Sequence, residues 1–118
     1  MPAAARAATP GAFQITTTQL EPNQTSIDIF GTTGQASVPF QGGTMCIGSP
    51  VQRLFGKSTG GGGTCTGAVT YTLADLLAHP SGSLLQPGTV VAIQTWARDL
   101  GDPFGSSLSN GLEFNVCP

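Results

Sequence analysis

The run Thr-Val-Val-Ala-Ile-Gln-Thr-Trp-Ala-Arg-Asp at residues 89–99 is the longest stretch free of glycine and proline in which β-branched and aromatic residues dominate. Branched Cβ atoms lose rotamer freedom in a helix and pack well on a pleated surface, so this run reads as a strand. Pro87-Gly88 sharpens its entry: proline presets φ and glycine accepts positive φ at the two middle positions of a type II turn. Alternation puts Ala92, Gln94, Trp96 and Arg98 on one face and Val91, Ile93, Thr95 and Ala97 on the other. Both faces are largely apolar, so both need cover. That demand places the strand inside a layered β structure.

Shorter alternating runs supply the layers. Residues 13–18 (Phe-Gln-Ile-Thr-Thr-Thr) read as a first, edge strand. Residues 26–30 follow, and Gly31-Thr-Thr-Gly34 is expected to close a hairpin into 35–40, with Ala36, Val38 and Phe40 facing in and Pro39 favouring an edge. Further strands are expected at 44–47, 51–55, 66–73 and 112–116. Residues 74–79 have helix propensity but meet Pro80 after little more than a turn. The glycine-rich stretch 57–64 carries no hydrophobic side chain and reads as an exposed mobile loop. The fold class is thus all-β: an antiparallel β-sandwich of about eight short strands with at most one helical turn. Residues 1–11 are expected to be a disordered or extended arm, and 12–118 a single domain.

Composition narrows the function. Charged residues are 8% of the chain, and four basic side chains, Arg6, Arg53, Lys57 and Arg98, are too scattered to track a phosphate backbone, which argues against nucleic acid. No apolar run reaches the roughly 20 residues of a membrane-spanning helix. Gly 17 and Pro 9 make the chain rich in turns, but 39% apolar content in clear alternation argues against disorder. Three cysteines, Cys46, Cys65 and Cys117, would let one pair bridge in an oxidising compartment and leave the third over, with the partners open. No Cys-x-x-Cys spacing exists, and with one histidine a tetrahedral zinc site lacks ligands; no cofactor or metal is expected.

Candidate chemistry is sparse. Asp75, His79 and Ser81 invite a hydrolase reading, but no nucleophile elbow accompanies them, and capping by Asp75 accounts for the spacing. Asp99, Asp102 and Asn110 are hard oxygen donors whose spacing matches no calcium loop, and aspartate before glycine or proline is ordinary turn chemistry. Trp96, the only tryptophan, would stack on a sugar if exposed, with Gln94, Asp99 and Asn110 as polar neighbours, although a mid-strand indole is by default a core residue.

Several short motifs recur in a fixed order: Met45-Cys46-Ile47-Gly48-Ser49-Pro50 followed by Arg53, Thr70-Tyr-Thr-Leu-Ala-Asp-Leu76, Pro87-Gly88, Gln94-x-Trp96-x-Arg98-Asp99 and Leu108-Ser-Asn-Gly-Leu112. In these the chain, over roughly residues 20–118, resembles an uncharacterised family of secreted β-rich domains of planctomycete-type bacteria. The resemblance implies an extracellular or cell-surface module of larger chains and carries over no catalytic residue. The expected function is therefore a non-enzymatic structural or adhesion module. Its partners would be itself, in a layer or filament seeded by the strand of Phe13 and Ile15, or other cell-surface components. A carbohydrate-binding module using Trp96 is the alternative.

Overall fold

The computed structural model describes residues 5–6, 8–40, 43–99 and 105–118. It is an antiparallel β-sandwich with one short α-helix, and its strands are β1 Gln14–Leu20, β2 Thr25–Gly31, β3 Gln35–Phe40, β4 Gly43–Ile47, β5 Gln52–Arg53, β6 Lys57–Ser58, β7 Gly67–Thr72, β8 Val90–Arg98, β9 Ser106–Leu108 and β10 Leu112–Asn115. The two strands beyond the expected eight, β6 and β9, are short pieces in stretches that read as loops.

The strand expected to be central is central. β8 pairs with β2 from Ser26↔Ala97 to Gly31↔Ala92. On its other side β10 lines the first half and β9 the second. β2 is flanked in turn by β6 and β5. The β1–β7 pair covers one face of this sheet, where Phe30, Val91 and Ile93 pack with Ile15, Val69, Tyr71 and Leu76. The β3–β4 pair covers the other, where Ile29, Ile47 and Ala92 form a smaller cluster with Met45 and Leu108 against it. Alternation along β8 thus feeds two separate cores.

The helix α1, Leu73–Leu77, is fixed by a capping box: Asp75 N donates to Thr72 Oγ1 at 3.2 Å and Thr72 N to Asp75 Oδ2 at 2.8 Å. Gly88 sits at φ +93°, as the type II turn requires.

Two expectations are corrected. The reversal at 31–34 does not pair β2 with β3; β3 crosses to the opposite layer and pairs with β4, leaving Val38 50% exposed. A Cβ at Gly31 would lie 2.7 Å from Ile47 Cγ2, so glycine permits the close crossing. A turn signal reports that the chain reverses, not which strand it meets afterwards. Within the arm expected to be disordered or extended, Ala5 is 3% exposed and its carbonyl accepts from Cys117 N at 2.6 Å, which leaves the extended alternative standing. The stretch 57–64, expected to be mobile, is anchored at its start by β6 and by Thr59, 3% exposed, whose Oγ1 accepts from Gln24 N at 3.0 Å and donates to Glu21 O at 2.6 Å. Thr59→Val keeps the shape but strands both backbone groups; a loss of about 2 kcal/mol in urea unfolding is expected.

Candidate functional site

Register across the sheet builds the site. Leu108, Trp96 and Ile27 are partners on β9, β8 and β2, so their side chains share the face turned toward the β3–β4 hairpin. Phe40 closes on the indole from that hairpin, ring centroids 5.6 Å apart. Arg53, one register step along β2 opposite Ile29, reaches back over Trp96 with its guanidinium carbon 5.4 Å from the ring centroid.

Trp96 is half-buried and acts as a dividing wall. On its hairpin side lies a cavity of about 120 Å³ lined with Phe40, Met45, Val51 and Arg53. On the other side a groove of about 320 Å³ crosses the ends of β2, β8 and β9, lined by Thr25, Ser26, Ile27, Trp96, Arg98 and Ser106 among others. Its size is at the low end of small-ligand sites. Arg53 and Arg98 are both exposed, and among the described residues neither is within ion-pair distance of a carboxylate.

The other residues expected beside Trp96 do not join it. Gln94 is 3% exposed and clamps three backbone groups: Nε2 donates to Thr44 O at 2.9 Å and Ser109 O at 2.6 Å, while Oε1 accepts from Cys46 N at 3.1 Å. It fastens the hairpin to the sheet and has no atom to offer a ligand. Asn110 is exposed but lines a different cavity of about 170 Å³ with Thr17, Asp28 and Thr95. Asp99 N donates to Gly105 O at 3.0 Å; Asp102 lies outside the described residues. Among the described residues no group of three or more His, Cys, Asp or Glu could hold a metal ion.

The carboxylic acid whose pKa is shifted furthest is Asp28. Asp28 faces the β1–β7 layer between Ser26 and Phe30 and is 1% exposed. Thr95 Oγ1 lies 2.6 Å from its Oδ1, and Thr17 Oγ1 lies 2.6 Å from Thr95. Desolvation pushes its pKa up to about 6 against the smaller pulls of the Thr95 hydrogen bond and the Lys57 charge. Tyr71, whose hydroxyl donates to Phe55 O at 2.6 Å, is pushed up to about 12 by burial first and by the Asp28 charge second. A lone acid between Ile27 and Ile29 was the available signal. Alternation puts it on the face opposite Ile27 and Ile29, and the layer that covers that face comes from residues far along the chain.

Asp75, His79 and Ser81 make no triad. Asp75 caps α1 and lies 3.7 Å from Lys57 Nζ. His79 Nδ1 accepts from Ser81 N at 3.0 Å, and its ring meets Phe30 edge-on at 5.4 Å. The nitrogen a triad aspartate would engage is taken by backbone. The expected disulfide is not formed: Cys46, Cys65 and Cys117 are all free, on β4, in the turn before β7 and after β10.

No family model matches the chain, and no curated protein or solved structure matches it.

Proposed function

We propose that this chain is a non-enzymatic, extracellular or cell-surface module that works by contact, as a structural or adhesion unit. The observation that carries the reading is where the polar side chains are engaged: Asp75, His79, Lys57, Gln94 and Asp28 each hold strands, a helix or a loop together. The resemblance to secreted β-rich domains points outside the cell. Self-association by a donated first strand is disfavoured, because β1 pairs with β7 from Gln14↔Thr72 to Thr17↔Val69 and buries Ile15, while Phe13 packs on Phe114 at 4.7 Å. Edge pairing is the better route. β10 ends the central sheet with Leu112 47% exposed. Sedimentation velocity over a range of concentrations should show self-association that Leu112→Lys abolishes. A chain that stays monomeric at every concentration sinks the assembly route.

A second reading, saccharide binding, is favoured by the groove on the open side of Trp96. A half-buried indole flanked by threonine and serine is the platform such ligands use. Because Trp96 is the only tryptophan, its fluorescence reports the groove directly.

A further inference from the structure

We propose that the Trp96 groove takes an anionic saccharide, one carrying uronate carboxylates. This rests on the saccharide reading above and adds its charge. Of the four basic residues in the chain, two lie beside Trp96, one on each side of it. Arg53 stacks over it from β5, and Arg98, two residues on along β8 and on the same face, lines the groove itself. Lys57, by contrast, is held by Thr70 O at 2.6 Å and by Asp75.

Arg53 and Arg98 are exposed, on a chain of net charge -2 that has six carboxylate side chains to offer. Neither is within ion-pair distance of one among the described residues. The Arg98 guanidinium, on the groove side, can bind a planar two-oxygen anion through parallel N–H donors, the geometry arginine fits best, while Arg53 adds its charge from the far side of the indole. Thr25, Ser26 and Ser106, the last engaged elsewhere, line the groove together with Ile27 and Trp96. A uronate ring presents one apolar face for the indole and a carboxylate at its edge. A neutral sugar would offer the groove's Arg98 no anion.

Titration of the intact protein with hexagalacturonate and with cellohexaose, followed by Trp96 fluorescence and calorimetry, tests this. Hexagalacturonate is expected to bind at least tenfold more tightly than cellohexaose. Arg98→Gln is expected to weaken it about tenfold, the loss of one charge-assisted hydrogen-bonded pair, with a smaller effect from Arg53→Gln. Both positions are exposed, so neither variant threatens folding. Equal binding of the two oligomers, unmoved by either arginine variant, overturns the charge assignment and leaves the saccharide reading standing. Binding of neither oligomer overturns both. Dextran sulfate binding as tightly as hexagalacturonate would reveal a general polyanion surface and also overturns the proposal.

Discussion

Raising the pH from about 4 to about 7 is expected to lower the stability of this fold by about 3 kcal/mol, through Asp28. The carboxyl titrates near 3.8 in an unfolded chain and near 6 in the folded one, because the β1–β7 layer strips its water. Below the unfolded value it is protonated in both states and has no effect. Between the two values the unfolded chain ionises while the folded chain keeps its proton, so each step up in pH favours unfolding. Above about 6 both states are ionised and the contribution is flat. Urea unfolding at a series of pH values reads this directly, and Asp28→Asn should remove the slope while leaving the remaining carboxylates in place. A wild-type profile parallel to that of Asp28→Asn would show that water reaches the buried carboxylate and that its surroundings are not dry.

Gln94→Met should cost about 4 kcal/mol, the largest effect expected of a single side chain here. The replacement fills the volume but abandons Cys46 N, Thr44 O and Ser109 O, each of which carries a desolvation penalty of about 1–3 kcal/mol when left unpaired in the interior. The damage should be local as well as global. Gln94 is the polar link between β8 and the β3–β4 hairpin, so losing it should loosen that hairpin. Cys46, partly buried on β4, should then react faster with a thiol reagent, while the exposed Cys65 reacts at its former rate. A drop in stability without faster Cys46 labelling would mean that Ile47 and Met45 alone hold the hairpin down.

How far the sequence reached depends on whether a feature is local. The local capping by Asp75, the Pro87-Gly88 turn and the two-sided burial of β8 all follow from residues within a few positions of one another, and each stands as expected; the Thr72 half of the capping box is equally local but carried no expectation. The candidate site fared differently. Gln94 was grouped with Trp96 because alternation puts them on one face, yet the hairpin covers the first and leaves the second at its margin. Arg53 had no visible tie to Trp96, because the tie runs through β2 and the pairing of Ile29 with Arg53.

By itself, then, the order of residues determined that this chain folds as antiparallel layers around one doubly covered strand, since period-two alternation, turn chemistry and helix caps are read within a few residues. Only the tertiary structure decided which layer each strand joined, that Asp28 is buried beneath β1 and β7, and that Arg53 stacks on the indole of Trp96. Those outcomes rest on strand register between segments tens of residues apart, and register is chosen by the total burial of all layers at once, which no local pattern encodes.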